Sequence, residues 1–127
     1  MEKIKEKLGI SGVLSHAYAW HHAGDGASGE GGAQVDLVID RNDGIINLCE
    51  MKFAGGEYAI DKKGEEGLRK KAEVFRRTTK TKKALHITMV TTYGLLRNSH
   101  SQVVQSEVTL ADLFLGDHRK DEMAEKH

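Results

Sequence analysis

The chain of 127 residues contains a single cysteine, no proline and no net charge. Each shortage excludes something, proline apart, whose absence carries no inference. The lone Cys49 cannot form an internal disulfide and fits a reducing compartment. No apolar run approaches the ~20 residues that a helix needs to cross a bilayer, and no signal peptide is visible. A cytoplasmic protein with no membrane partner is therefore expected. Basic and acidic residues balance at 19 each, so only the distribution of charge can speak about partners. The glycine-rich stretch 21–33 lacks a Gly-Lys-Ser/Thr ending, which excludes a phosphate-binding P-loop there. The length suits one domain, 1–127, around one core.

What is present is organised around residues 34–53. Apolar residues alternate through Val35, Leu37 and Ile39, and again through Cys49, Met51 and Phe53, as in two strands. Asn42-Asp43-Gly44 between them reads as a three-residue hairpin loop, with glycine in the left-handed position. That loop length sets the register: Asp40 opposite Ile46, Val38 opposite Leu48, Asp36 opposite Glu50 and Gln34 opposite Lys52. One face then carries Val35, Leu37, Ile39, Cys49 and Met51. The other gathers Gln34, Asp36, Glu50 and Lys52. Carboxylates directly opposite each other repel by ~0.2–1 kcal/mol. A divalent cation reverses that sign, since Mg²⁺ prefers carboxylate oxygens. Lys52 would place an ammonium on the same face, able to orient a water or stabilise transition-state charge. The same D-x(13)-E-x-K spacing also occurs by chance on ordinary solvated sheet faces.

Along the rest of the chain, Ile4 and Leu8 mark a short first helix closed by Gly9. Residues 12–20 read as a strand, and 21–33 as a mobile loop. Asp61 caps a long helix reaching Thr78, with Leu68, Ala72, Val74 and Phe75 as its apolar stripe. That helix carries Lys62, Lys63, Arg69, Lys70, Lys71, Arg76 and Arg77, with further lysines to Lys83. It is the one strongly basic region, a candidate phosphate-contacting surface as well as an ordinary solvated face. Residues 84–91 form a buried-type strand, parallel to the one before the helix. Residues 102–108 read as an edge strand that offers a surface for a homodimer. Thr109 caps a short helix over 110–115, and 117–127 is a charged tail. The order is αβββαβ with an additional strand and helix, an α/β fold with a mixed sheet flanked by helices.

That order, with Asp36 on the second strand and Glu50-x-Lys52 on the third, resembles the PD-(D/E)XK nucleases of restriction-endonuclease-like fold. The wording Gly32-Ala33-Gln34-Val35-Asp36-Leu37 and Cys49-Glu50-Met51-Lys52-Phe53 is similar to the C-terminal domain of Bacteroidetes-type AAA-family ATPases. The resemblance covers nearly the whole chain. It implies that Asp36 and Glu50 bind Mg²⁺ or Mn²⁺, completed by the Met51 carbonyl and supported by Gln34. It implies Lys52 as catalytic lysine, DNA as substrate and an attached ATPase domain as partner. The proline that names the motif is missing before Asp36. Glu2 and Glu6 are the only local candidates for a further first-helix glutamate that many such proteins carry.

The competing readings are a catalytically inactive module that binds nucleic acid or docks on a partner, and a regulator of an attached ATPase. Zinc at His21-His22 with His16 lacks any cysteine ligand. A cysteine or serine hydrolase fails because Cys49 alternates away from the polar face and no nucleophile elbow is present. Tyr58 and Tyr93 read as packing residues, and Trp20 as the end of a strand.

Overall fold

The computed structural model describes residues 2–10, 12–23, 32–110 and 112. Residues 24–31 of the predicted loop over 21–33, most of the helix over 110–115 and the tail over 117–127 lie outside them. The elements are α1 (Glu2–Lys7), β1 (Ser15–His22), β2 (Ala33–Arg41), β3 (Ile45–Lys52), α2 (Lys62–Thr79), β4 (Ala84–Thr91) and β5 (Ser106–Thr109). The five strands form one sheet in the order β1-β2-β3-β4-β5. The β1–β2 and β2–β3 pairs are antiparallel, and the β3–β4 and β4–β5 pairs are parallel. The fold is thus α/β with a mixed sheet. No helix among the described residues is long and apolar enough to cross a membrane.

The hairpin turn behaves as its length predicts. Asp40 faces Ile46 and Val38 faces Leu48, and Gly44 takes a φ of 90° that a side chain would resist. A parallel partner then follows β3 along its whole length, from Ile45 opposite Ala84 to Lys52 opposite Thr91. The crossover between them is α2, as a parallel connection requires. Asp61 starts this helix by accepting the Gly64 N–H at 2.7 Å, and Lys80 ends it in the left-handed conformation. At the close of α1, Gly9 N–H donates to the Glu6 carbonyl and Ile10 N–H to the Lys5 carbonyl, satisfying carbonyls that the short helix leaves open.

The core lies on both faces of the sheet. On one, Ile4 and Ile10 with Leu8 pack on Ile39, Cys49, Val90 and Val108. On the other, Phe75 and Ala72 of α2 pack on Val35, Val38, Ile46 and Leu48. Ile60, Met89 and Leu95 close the end of that second layer, joined by Leu68 and Tyr58. The stripe predicted for α2 is the face it buries.

Several expectations need correction. β1 runs on to His22, so His21 and His22 belong to a strand and not to a loop. Trp20 lies within that strand, edge-on to Phe75 with ring centroids 5.1 Å apart. The stretch 102–108 is divided: a 3₁₀ turn over Ser101–Val103 precedes a short β5. Val35 does not share a face with Leu37 and Ile39. Tyr18 faces Val38 but Trp20 faces Val35, so Asp36 and Leu37 together oppose Ala19. This bulge adds one residue to β2 and reverses the faces beyond it, which the period-two pattern cannot register. Thr109 does act as a cap: its hydroxyl accepts the Asp112 N–H, and its own N–H donates to the Asp112 carboxylate.

Phe75 is 1% exposed where α2 meets the sheet. Phe75→Ala should lower the unfolding free energy by about 3–5 kcal/mol, read from urea unfolding midpoints. A loss below 1 kcal/mol would mean that α2 is not anchored there.

Candidate functional site

The bulge shapes the site. Beyond it, β2 continues beside β1, with Gln34 opposite His21 and Ala33 opposite His22. Its ladder with β3 stops at Leu37 opposite Cys49. A fork therefore opens between the start of β2 and the end of β3. The predicted pairs Asp36–Glu50 and Gln34–Lys52 fall inside this fork and are not ladder partners. Met51 reaches into the fork with an N–H that has lost its strand partner. Asp36 Oδ2 accepts that N–H at 3.0 Å. In a strand, the N–H and C=O of one residue point to the same edge, so the Met51 carbonyl also faces the fork.

Glu50 lies one residue back, on the α2 face that Ile46 and Leu48 also occupy. It is 5% exposed. A charge buried that deeply needs a partner, and Lys71 of α2 supplies it: Nζ donates to Glu50 Oε1 at 2.7 Å. Lys52 follows Glu50 on this face and is exposed. Among the described residues its ammonium makes no hydrogen bond or ion pair. Glu50, Lys52 and Lys71 line a cleft of about 190 Å³ with Tyr58, Ile60, Leu68 and Met89. Gly64 and Gly67 line it too, and at these two positions α2 brings no side chain to fill it.

Cys49 senses both carboxylates. Burial first, then the charges of Glu50 and Asp36, push its thiol up from 9.0 to about 12. It stays a protonated core residue on the α1 face, where a nucleophile would be out of place.

The basic residues of α2 divide by role. Lys71 is held by Glu50. Arg69 pairs with Glu65 at 3.7 Å. Arg76 donates to the Thr81 and Lys83 carbonyls, both at 3.0 Å, and so ties down the chain after the helix. Lys83 bonds Asp40 and the Arg41 carbonyl. Lys62, Lys63, Lys70 and Arg77 are exposed. The basic region around α2 is thus partly internal scaffolding.

As metal donors, Asp36, Glu50 and the Met51 carbonyl are hard oxygens. Among the described residues no group of three or more His, Cys, Asp or Glu side chains gathers at one point. Glu6 is exposed and belongs to no such group. Mg²⁺ needs only one or two carboxylates, keeping waters and taking substrate phosphates, so the donor set fits it in type. Sequence reasoning missed two features of this region. Lys71 appeared only as one cation among many. Glu107 had no role, yet it lies opposite Met89, which in turn lies opposite Glu50. Its Oε2 is buried without a hydrogen bond, 3.4 Å from the Arg97 guanidinium.

No family model matches the chain, and no curated protein sequence matches it. Among solved structures, the crystal structure of AF1548, a protein of unknown function, is similar in fold. Its TM-score is 0.60 at 11% identity, over 92% of this chain and 64% of that one. The likeness is one of fold, and this chain spans 64% of that protein's length.

Lys71→Met leaves the Glu50 charge buried and alone. It should lower the unfolding free energy by about 1–3 kcal/mol, and the double variant with Glu50→Gln should recover most of the loss. Urea unfolding of the parent and the variants reads both values, and an unaltered single variant would show that the pair contributes nothing. Cys49 gives a pH signature. Its folded thiol titrates near 12, above the ordinary 9.0, so its contribution is complete below pH 9 and lost as pH rises towards 12. The parent should lose stability more steeply over that window than Cys49→Ala, and equal slopes would contradict the shift.

Proposed function

We propose that this chain is a metal-dependent nuclease domain of restriction-endonuclease-like type, hydrolysing phosphodiester bonds in DNA. One observation carries the reading. On one face of β3, a buried carboxylate at Glu50 is followed by an exposed, unpartnered ammonium at Lys52, and both line one cleft. Asp36 stands in the adjoining fork on the Met51 N–H. A strand that serves only packing has little use for a buried carboxylate and a solvent-facing ammonium at such positions.

Asp36, Glu50 and the Met51 carbonyl would hold Mg²⁺ or Mn²⁺. When bound, the cation lowers the pKa of a water and neutralises charge on the scissile phosphate. Lys52 holds a phosphate oxygen, or the attacking water, at the mouth of the cleft. Lys71 keeps the Glu50 carboxylate oriented in its buried position. Lys62, Lys63 and Lys70 hold the phosphate backbone, which positions the substrate without reading its sequence. Attachment to an AAA-family ATPase belongs to the same reading, through the sequence resemblance.

A second reading has an observation of its own. Glu50 already takes Lys71 and Asp36 already takes the Met51 N–H, so each carboxylate has a protein donor. This favours a non-catalytic module that binds nucleic acid or docks on a partner.

Calorimetric titration of Mg²⁺ and Mn²⁺ into the parent and into Glu50→Gln, followed by DNA cleavage on the same samples, separates the two. The nuclease reading expects micromolar-to-millimolar metal binding that the variant loses, and cutting only when metal is present. DNA binding in chelator, with no metal uptake by the parent, would leave the module.

A further inference from the structure

Four large apolar side chains stand exposed among the described residues: Leu14, Phe53, Tyr93 and Leu96. All but Leu14 lie at one end of the sheet. Phe53 follows Lys52 where β3 ends, and Tyr93 follows Thr91 and Thr92 where β4 ends. The strands run parallel with Lys52 opposite Thr91, so both aromatic residues leave the sheet at the same end. Phe53 and Tyr93 are each 61% exposed, and Leu96 is 47% exposed. Tyr93 is therefore not the packing residue that its sequence context implies; of the two tyrosines considered, only Tyr58 packs in the core.

This exposure is not the looseness of a slack loop. Ala54 N–H donates to Thr92 Oγ1 at 3.2 Å and joins the segments that carry the two rings. Gly94 N–H donates to Thr91 Oγ1 at 2.9 Å. Tyr58 N–H donates to the Gly94 carbonyl, and Leu96 N–H to the Tyr58 carbonyl, both at 2.9 Å. The backbone is laced to the sheet while the rings stay in water. Cations lie at the same end of the sheet. Lys52 precedes Phe53, and Lys62 and Lys63 open α2, whose Gly64 lines the same cleft as Lys52.

Exposed aromatic rings and ammonium groups with no partner among the described residues, gathered at one end of the sheet, complement a polyanion that carries flat apolar faces. Single-stranded nucleic acid offers both, whereas a duplex hides its base faces in the stack. We infer that the end of the sheet where β3 and β4 finish is a stacking platform for single-stranded nucleic acid. Phe53 and Tyr93 take bases, and Lys52, Lys62 and Lys63 take phosphates. As a route for substrate this rests on the nuclease reading, but binding at the platform needs no metal.

The test is fluorescence anisotropy of a dye-labelled oligothymidine, single-stranded or annealed to oligoadenine, titrated in EDTA with the full chain. The single strand should bind at least about tenfold more tightly than the duplex. Phe53→Ala and Tyr93→Ala should each weaken single-strand binding about 5- to 100-fold, leaving duplex binding and the thermal melt unaltered. Phe53→Trp should retain tight binding. Equal affinity for strand and duplex, or alanine variants that bind like the parent, overturns the inference. So does a concentration-dependent dimer in sedimentation that Phe53→Ala dissolves, without single-strand preference, because that end of the sheet is then a protein contact. Single-strand binding without metal-dependent cleavage sinks the nuclease reading alone. Cleavage without single-strand preference sinks this inference alone.

Discussion

Strand β3 has a neighbour on each edge and a packed layer on each face, so every polar group in it must find a partner inside the protein. Most of the structure follows from that constraint. Asn47 is buried, and it donates to Thr88 while accepting from Arg41. Thr88 shares a hydrogen bond with Ser106, and Arg41 is clamped by Asp43. A polar chain thus crosses from β2 to β5 on the sheet face that α1 also packs against. On the opposite face the same demand falls on Glu50, and α2 answers it with Lys71. The helix is therefore positioned by one ion pair as well as by Phe75 and Ala72. Where β3 runs out of the layer, at Lys52, the demand ends and the side chain stands free.

The hairpin register was legible because a loop of known length leaves no freedom in the pairing near the turn. Legibility faded with distance from that turn. A single added residue at Asp36–Leu37 moved Val35 to the other face and ended the β2–β3 ladder, and no apolar pattern records a bulge. Asp36, Glu50 and Lys52 were visible as residue types at a spacing. Their arrangement was not: the two carboxylates were expected as direct opposites, and instead Asp36 caps the Met51 N–H while Glu50 faces the helix.

The functions of the cations and aromatics were hardest to read, because both depend on partners far away in sequence. Nothing local distinguishes Lys71, bound to a carboxylate 21 positions earlier, from exposed Lys70. Nothing in Arg76 announces that it holds two carbonyls beyond its own helix. Tyr93 looks like core by residue type, yet it is placed outside the sheet by a turn bonded to Thr91. Residue type and environment disagree at a buried acid and at exposed rings, as they do where function and not stability sets the residue.

The strands occupy the sheet in the order in which the chain presents them. No strand has to be threaded between two that have already paired. The β2–β3 hairpin can close over a three-residue loop, β1 can add to one side, and β4 followed by β5 to the other once α2 has bridged the crossover. Loop-closure entropy is then met in small steps, which favours fast assembly. The same order leaves an open edge at every stage. During synthesis the far edge of β3 stays unpaired until the helix and β4 have emerged, so the strand that carries Glu50 and Lys52 is also the one most open to pairing with another chain.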